Sequence, residues 1–307
     1  MISIIIPTYN PNIVRLSRTI QSIIDQSFPV SDWELIIVDN NSTTPVETLM
    51  IDTKVINLKI VEESKQGLTF ARLKGVEQAV GKYIIFVDDD NILNADYLKN
   101  VNQIFLQNPH IGAIGGNIFP EFEVEPAIWT KNFWSILALR DLGSRIQIST
   151  FQRKDGLISH YPTFAPIGAG MAVRRKSLNR YIETIQSHSE KITDRKGNKL
   201  TSSGDNEIVM QVLFNNDEVA FFPQLSLVHL IPENRLTKDY LGRLNEGIME
   251  SWTTFLLKYH ICPWPKIKKW TVPLRKLKSY FSLHAWSGNV AYVKWKGSCG
   301  IFMGLAK

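Results

Sequence analysis

The chain has 307 residues, of which 44% are hydrophobic and 21% are charged, and its formal net charge is +6. This composition excludes a disordered or low-complexity chain and predicts one large domain or two modest ones. Neither a signal peptide nor a transmembrane helix is expected, because the first apolar run covers only residues 2–6 and no run approaches about eighteen residues. Cys262 and Cys299 lack metal-like spacing, and free thiols in a reducing cytosol are expected.

The first 120 residues alternate between short β-type runs and helical patterns. Strands are predicted at residues 3–7, 33–42, 55–63, 83–90 and 111–119. Helices are predicted between them, one capped by Asn10 and one burying Phe70, Leu73, Val76 and Val80 on a single face. This β-α-β order implies an α/β fold, in which a Rossmann-like, mostly parallel sheet is covered by helices on both sides.

The second half is less regular. Helices are predicted at residues 126–143, 202–215 and 237–260. A strand is predicted within residues 165–175, and two short strands within 218–232. No clean linker separates the two halves.

Polar clusters end three of the predicted strands, at residues 7–10, 39–42 and 88–90. The carboxyl ends of parallel strands share one edge of a sheet, and ligands bind there. In an extended segment Asp88 and Asp90 would face one point, with Asp89 turned aside. Two close carboxylates repel each other, and a divalent cation removes the conflict. The alternative is a solvated, inert acidic loop.

Glycine-rich phosphate cradles are missing from the sequence. Neither a dinucleotide fingerprint after the first strand nor a Walker A motif occurs. A phosphate ligand would therefore need a metal and side chains.

Four segments in order resemble a family 2 glycosyltransferase of the GT-A fold: SIIIPTYNP, ELIIVDNNSTT, QGLTFARLKGVEQAVGKYIIFVDDDN and SGDNEIVMQV. The resemblance covers about residues 3–231. Each segment alone is a weak signal, but the four in order make a strong one. The sequence departs from the family's second motif, because Asn40 and Asn41 stand where Asp and Gly are usual; since Asn tolerates a left-handed backbone, we expect the turn to be kept.

The resemblance implies a hexosyltransferase-type enzyme that uses a UDP- or GDP-linked sugar donor, a divalent metal and inversion at the anomeric centre. Its implied metal ligands are Asp90, Asp88 and His229, holding Mn²⁺ or Mg²⁺. Its implied donor-binding residues are Pro7, Thr8, Tyr9, Asp39, Arg72, Asp88, Asp89 and Arg235.

The resemblance also implies a general base, because an acceptor hydroxyl attacks well only as its proton is removed. Asp205 in GDNEI takes this role, although the helix dipole alone also favours Asp near a helix start. The acceptor, a glycan or a lipid-linked saccharide, is expected near Trp134, Gly168 and Glu207. Core packing is the alternative for Trp134, and a structural role is the alternative for His229.

The chain is expected to divide into a GT-A catalytic domain at residues 1–235 and a helical, basic, aromatic extension at residues 236–307. The catalytic part would comprise a nucleotide-binding half, 1–120, and an acceptor and base half, 121–235. The extension contains Lys, Arg and Trp but no acidic residue beyond residue 258. Peripheral membrane contact on the cytoplasmic face is one expectation for it, and a plain solvated helix is the other.

Three other functions compete with glycosyl transfer in polysaccharide biosynthesis. A sugar-nucleotide pyrophosphorylase would carry a glycine-rich loop after its first strand, and residues 6–12 lack one. A catalytically inactive sugar-nucleotide-binding module would have lost the carboxylates of the metal site or of the general base, and both are present in the sequence. Nucleic-acid binding has only the basic extension in its favour, so no nucleic-acid partner is expected.

Overall fold

The computed structural model describes residues 1–46, 57–149, 153–154, 157–158, 160–187 and 204–307. The first half forms β1 (Ile2–Thr8), α1 (Ile13–Ile24), β2 (Trp33–Asp39), β3 (Leu58–Glu62), α2 (Leu68–Gln78), β4 (Tyr83–Phe86), β5 (Asn91–Leu93), α3 (Tyr97–Gln107) and β6 (Ile111–Phe122). The predicted third strand begins at residue 55, and that start lies outside the described residues.

A long 3₁₀ helix (Ile128–Leu137) opens the second half. It is followed by β7 (Gln147–Ile148), β8 (Arg153–Lys154), β9 (Leu157–Ile158), β10 (Ala172–Arg174), α4 (Asn179–Ser187), α5 (Gly204–Phe214), β11 (Glu218–Ile231), α6 (Lys238–Lys258), α7 (Val272–Ser282) and α8 (Asn289–Leu305). The predicted helix at 202–215 is present as α5, but its predicted start lies outside the described residues.

The described strands form one large mixed sheet in the order β3-β2-β1-β4-β10-β6-β11-β5, with β7 added beside β11, and β8 pairs separately with β9. Strands β3, β2, β1 and β4 are mutually parallel, and so are β6 and β11. Every residue of β1 and β2 is buried, as expected for parallel strands covered on both faces. The prediction of a mostly parallel α/β sheet flanked by helices is therefore confirmed.

Two helix predictions need correction. The side chain of Asn12, and not Asn10, caps α1 by accepting from the Arg15 N–H at 3.1 Å. On α2 the predicted apolar face is wrong, because Val80 is 63% exposed while Arg72 and Gly75 are buried. The reason is a close approach to the sheet: a Cβ on Gly75 would overlap the side chain of Ile5.

Three elements of the second half also differ from prediction. The helix expected at 126–143 is a 3₁₀ helix that ends at left-handed Ala138. The strand expected within 165–175 is only β10, because the chain turns at Gly170, where φ is +77°. The two short strands expected within 218–232 form one strand, β11, whose pairing with β6 shifts register between Phe221 and Ser226.

The C-terminal helices share the core of the sheet. Leu241 and Leu244 of α6 and Val293 of α8 belong to the same buried cluster as the inward side chains of β1. Phe255 and Leu256 belong to the cluster on the other face. None of the described helices is both long and apolar enough to cross a membrane. The division into a catalytic domain and an extension at residue 235 stays a prediction, and buried side chains from both sides of it meet in one core.

Candidate active site

The carboxyl ends of β1, β2 and β4 open into one cavity of about 360 Å³. The start of α2, the end of the 3₁₀ helix and the first turns of α6 complete its wall. Among the predicted site residues, those that line it are Pro7, Thr8, Tyr9, Asp88, Asp89, Asp90, His229 and Arg235. The convergence of polar strand ends expected from the sequence is thus present.

The three aspartates form a turn and not the expected extended strand end. Strand β4 stops at Phe86, and the Asn91 N–H donates to the Asp88 carbonyl at 3.1 Å. The prediction that Asp89 turns aside is therefore wrong, because alternation of side chains holds only along extended backbone. All three aspartates line the cavity, and the Thr8 hydroxyl donates to Asp89 Oδ2.

Asp89 carries an unusual proton affinity for a carboxylic acid. Burial raises its pKa to about 7, the charge of Asp90 acts in the same direction, and the hydrogen bond from Thr8 opposes both. The Thr8 hydroxyl therefore helps to hold the half-buried Asp89 carboxyl group in place in the cavity.

Asp90 is 4% exposed and contacts two residues from β11 and the turn that follows it. Its Oδ1 lies 3.3 Å from His229 Nε2, and its Oδ2 lies 2.9 Å from Arg235 Nη1. The same Arg235 nitrogen lies 3.2 Å from His229 Nε2. Burial lowers the pKa of Arg235, but the charges of Asp90, Tyr240 and Asp89 and the hydrogen bond to Asp90 together outweigh burial, and the net shift is upward. His229 lies here because β11 pairs with β5, and His229 stands opposite Asn91 in that pairing. The two residues are 138 positions apart in the sequence.

The donor atoms at this point fit a divalent cation. His229 Nδ1 lies 3.0 Å from the Leu137 carbonyl, which can only accept, so Nδ1 carries a proton; when the ring is neutral, Nε2 offers a lone pair. In that neutral form, Arg235 Nη1 supplies positive charge to both the Nε2 lone pair and the Asp90 carboxylate, and a divalent cation would offer charge to the same two groups. No group of three or more acidic, His or Cys side chains suited to a metal occurs among the described residues. A metal with one or two protein ligands would keep positions for phosphate oxygens.

Asp39 and its neighbours shape the rim of the cavity rather than its floor. Asp39 Oδ1 accepts from the Ser42 N–H at 2.9 Å, and Oδ2 accepts from the Val46 N–H at 3.0 Å. Asn41 has φ of 65°, so the expected left-handed turn is present. Asp39 itself does not line the cavity.

Asn40 was missed as a site residue by sequence reasoning, although it lines the cavity. Its Oδ1 accepts from the Gly67 N–H at 2.7 Å, and its Nδ2 donates to the carbonyls of Glu63 and Lys65, each at 2.9 Å. One amide side chain thus fixes the loop that leads into α2. The available signal for Asn40 was that it stands where the resembled family usually has Asp.

Arg72 connects two carboxylates that the sequence places 117 residues apart, Asp88 and Asp205. Its guanidinium forms an ion pair with Asp205, and its Nη2 lies 3.9 Å from Asp88 Oδ1. The Gly168 N–H donates to Asp205 Oδ2 at 2.8 Å. Arg72, Asp205 and Gly168 therefore form one cluster behind the cavity, and none of the three lines it directly.

The two other predicted acceptor residues have different surroundings. Trp134 packs against Phe122 with ring centroids 5.1 Å apart. Glu207 accepts from Lys258 Nζ at 2.7 Å and from the Tyr259 hydroxyl at 2.5 Å, which joins α5 to the end of α6. Neither side chain lines the cavity.

Comparison with known proteins supplies the family. The family described as Glycosyl transferase family 2 matches residues 3–182, which is more than half of the chain. The chain belongs to this family.

Curated relatives match over a limited segment. Poly(ribitol-phosphate) beta-N-acetylglucosaminyltransferase TarP of Staphylococcus aureus is 31% identical over 33% of this chain and 31% of its own length. Glycosyltransferase AglE of Haloferax volcanii is 30% identical over 38% of this chain and 39% of its own length. The chain thus spans less than half the length of these relatives.

Solved structures match nearly the whole chain. Mannosyltransferase PcManGT from Pyrobaculum calidifontis, in complex with GDP-Man and Mn²⁺, has a TM-score of 0.56 at 17% identity, covering 96% of this chain and 73% of that one. Residues 1–349 of S. aureus TarS have a TM-score of 0.51 at 16% identity, covering 98% and 88%. These likenesses show that the fold is GT-A.

Proposed function

We propose that this chain transfers a sugar from a nucleotide-diphosphate-sugar donor to a hydroxyl acceptor, with inversion at the anomeric centre. The observation that carries the proposal is the meeting of Asp90, His229 and Arg235 in a cavity at the carboxyl ends of parallel strands. Family membership supports it, as do the nucleotide sugars bound to structural relatives, UDP-GlcNAc in TarS and GDP-Man in PcManGT.

The donor would enter with its nucleoside at the rim and its diphosphate at the floor. Pro7, Thr8 and Tyr9 line the side of the cavity at which β1 ends. Asp39 lies beside them, opposite Thr8, at the end of β2. Although both Asp39 oxygens accept backbone N–H groups, a carboxylate has further lone pairs with which to accept from a base. Arg235 would supply positive charge for the diphosphate. Arg72, which lies 3.9 Å from Asp88, would add positive charge from a greater distance.

Asp90 and His229 would hold a divalent cation, with Asp88 as a further carboxylate. When bound, such an ion stabilises the negative charge that develops on the departing diphosphate. The imidazole of His229 favours a softer ion than Mg²⁺, so we propose Mn²⁺ as the better cofactor.

Asp205 would serve as the general base. As the acceptor oxygen bonds to the anomeric carbon, its proton passes to the Asp205 carboxylate, and the bond from that carbon to the diphosphate oxygen breaks with its electron pair. The side chain of Asp205 keeps 21% exposure, and Arg72 and the Gly168 N–H fix its direction. Gly168 is the one predicted acceptor residue that touches Asp205; Trp134 and Glu207 remain proposals for the outer acceptor site.

The test separates donor binding from turnover. The unmodified chain is screened with UDP- and GDP-sugars and Mn²⁺, first by thermal shift and then by release of nucleoside diphosphate. Asp205→Asn should keep the donor-induced shift and lose turnover by about a hundredfold or more, since a general base contributes that much. Asp217→Asn, an Asp that bonds Ser177 outside the cavity, is the matched control.

Loss of the donor-induced shift together with turnover in Asp205→Asn would contradict the base role. Donor binding with no turnover in the unmodified chain, across acceptor mixtures, would favour an inactive binding module. Full activity in the presence of a chelator would defeat the metal assignment.

A further inference from the structure

Helix α7 carries an apolar stripe on its solvent side. Leu274, Leu277 and Phe281 of α7 are spaced by three and four residues, which places them on one helical face, and Trp270 lies four residues before Leu274 in the short 3₁₀ helix (Lys269–Thr271) that leads into α7. The exposed fraction is 68% for Trp270, 61% for Leu274 and 57% for both Leu277 and Phe281. Four large apolar side chains in a row on the surface are far more than scattered surface residues explain.

The opposite face of α7 holds the helix to the rest of the protein. Ser279 is buried there, and the Tyr280 ring meets Trp295 of α8 edge-on with centroids 5.1 Å apart. Trp295 Nε1 donates to the Lys276 carbonyl at 3.0 Å, and Lys276 Nζ lies 3.4 Å from Glu246 of α6. A helix of a soluble protein normally turns its apolar face inward, and α7 does the reverse.

Exposed tryptophans flank the stripe in sequence on both sides. Trp264 lies before the helix and is 40% exposed, and Trp286 lies after it and is 55% exposed. The Trp286 ring stands at 61° to that of Phe281, with centroids 5.7 Å apart. A ring contact therefore orders the C-terminal end of the stripe although that end faces solvent. We call the seven side chains the α7 surface: Trp264, Trp270, Leu274, Leu277, Phe281, Leu283 and Trp286.

Positive charge surrounds this apolar surface. The flanking exposed basic residues are Lys266, Lys268, Lys269, Arg275 and Lys278, and residues 259–307 contain no Asp or Glu. A second copy of the chain would bring these like charges against one another, which opposes a two-fold dimer through this face. An anionic bilayer complements both features, because it accepts apolar side chains below its headgroups and Lys and Arg among them.

We propose that the α7 surface docks the protein on anionic lipid membranes. Since α7 is held against α8 by its other face, it would lie along the bilayer, with Leu274, Leu277 and Phe281 inserted and the lysines at the headgroups. Trp264, Trp270 and Trp286 would sit at the interfacial level that suits an amphipathic ring. This surface is built by residues outside the candidate active site, so the proposal does not depend on the transfer reaction.

Vesicle flotation of the full chain tests the proposal. Vesicles of phosphatidylcholine alone are compared with vesicles that contain about a third phosphatidylglycerol, at low and at high salt. We expect binding to the anionic vesicles at low salt, weaker binding at high salt and little binding to phosphatidylcholine. The double variant Leu274→Ser/Leu277→Ser should lower the partition coefficient by roughly a hundredfold, since each buried leucine contributes more than a tenfold factor.

Two matched controls separate this surface from general apolarity and charge. Val80→Ser/Leu106→Ser removes two side chains of similar exposure, 63% and 64%, elsewhere on the molecule and should leave binding unchanged. Lys268→Ala/Lys269→Ala/Lys278→Ala should weaken binding to anionic vesicles, whereas Lys99→Ala/Arg145→Ala/Lys176→Ala, with three exposed cations elsewhere, should not.

Two outcomes would overturn the proposal. One is equal flotation of the unmodified chain and the double leucine variant. The other is an absence of vesicle binding together with sedimentation as a dimer that the leucine changes dissociate, because the surface would then be an interface between copies.

Discussion

At the residue scale, the geometry of the proposed base depends on the missing side chain of Gly168. A Cβ at this position would lie 2.7 Å from Asp205 Oδ1 and 2.8 Å from Oδ2, and closer still to the Arg72 guanidinium. Real Cβ contacts are longer than this, so the ion pair between Arg72 and Asp205 would have to move. Gly168 is therefore a positioning residue for both charged groups.

Gly168→Ala should lower turnover by about a hundredfold while donor binding changes much less, because a small displacement of a catalytic group is costly. The measurement is turnover against donor concentration, with the donor-induced thermal shift beside it. Gly288→Ala is the control, since no atom lies within 4 Å of the Cβ that it would add. Unchanged turnover in a folded Gly168→Ala variant would refute the positioning role.

His229 offers a test of the metal site that needs no activity. His229→Asn removes the imidazole lone pair opposite Asp90 but keeps a polar side chain that can bond the Leu137 carbonyl. We expect Mn²⁺ affinity, measured by calorimetry in the presence of nucleoside diphosphate, to fall about tenfold to a hundredfold, in line with losses seen when metal-site partners are changed. His110→Asn, on an exposed histidine, is the control. Equal Mn²⁺ affinity in both variants would leave His229 with a structural role only.

The sequence identified eight of the eighteen residues that line the cavity, but not their contacts. Pro7, Thr8 and the aspartates follow strongly apolar strands, and that simple pattern predicted where they lie. The pairing of Arg72 with Asp205 could not be predicted, because it depends on α2 lying close enough to the sheet for an arginine to be buried, and apolar periodicity chose another face of the helix. Contacts between distant segments depend on packing distances that no local pattern contains.

At the element scale, Glu34 joins three segments at the amino end of the sheet. Its Oε1 accepts from the Ser3 hydroxyl at 2.6 Å and from the Val80 N–H at 2.7 Å, and its Oε2 lies 2.8 Å from Lys59 Nζ. Burial alone would raise the pKa of Glu34, but the hydrogen bonds from Lys59, Ser3 and Val80 together lower it below its ordinary value of 4.5. One buried carboxylate thus links β2 to β1, to β3 and to the turn before β4.

Glu34→Gln should lower the free energy of unfolding by about 1 kcal/mol at pH 7, because the amide group turned toward Lys59 loses a charge-assisted bond that solvent already weakens. A lowered folded-state pKa stabilises the fold above the unfolded-state pKa, and this stabilisation is lost as pH falls through the folded-state value. The difference between the two proteins should therefore be constant from pH 7 to 5 and shrink below pH 4.5.

Urea unfolding at a series of pH values measures this difference. Glu77→Gln on α2, whose side chain is 68% exposed, serves as the control and should show little effect at any pH. A Glu34→Gln difference that grew as pH fell would contradict the lowered pKa.

Element prediction succeeded where one rule governs a segment and failed where two compete. The runs that became β1 and β2 are strongly apolar, and every residue in them is buried, as expected for parallel strands covered on both faces. The segment at 83–90 is an apolar strand followed by a turn. Because the prediction considered only the strand pattern, it extended the strand into the turn. The long strand β11 contains Pro223, which cannot donate to the sheet, so a break was expected where the structure has a register shift.

At the scale of the whole molecule, the helices after residue 235 contribute to the same core as the nucleotide-binding strands. Leu236, Leu241 and Leu244 lie in the cluster that contains the inward residues of β1, while Phe255 and Leu256 cover α5 from the other side. Tyr240 and Leu244 also line the cavity. Helix α8 approaches α6 closely at Gly297, Gly300 and Gly304, where any Cβ would overlap α6. The last 70 or so residues therefore serve both the core and the candidate active site.

A chain shortened to residues 1–235 should consequently fail to fold. Burying each of these side chains contributes about 1.5–3 kcal/mol, and five of them together approach the whole stability of an ordinary domain, about 5–15 kcal/mol. The expected result is a shortened chain without a cooperative thermal transition, measured by circular dichroism and calorimetry. A chain shortened to residues 1–268 keeps α6 and its core leucines, and we expect it to fold with a lower melting temperature because α8 is missing. Cooperative unfolding of the 1–235 chain, with donor binding intact, would show instead that residue 235 ends an independent catalytic domain and that α6 only covers it.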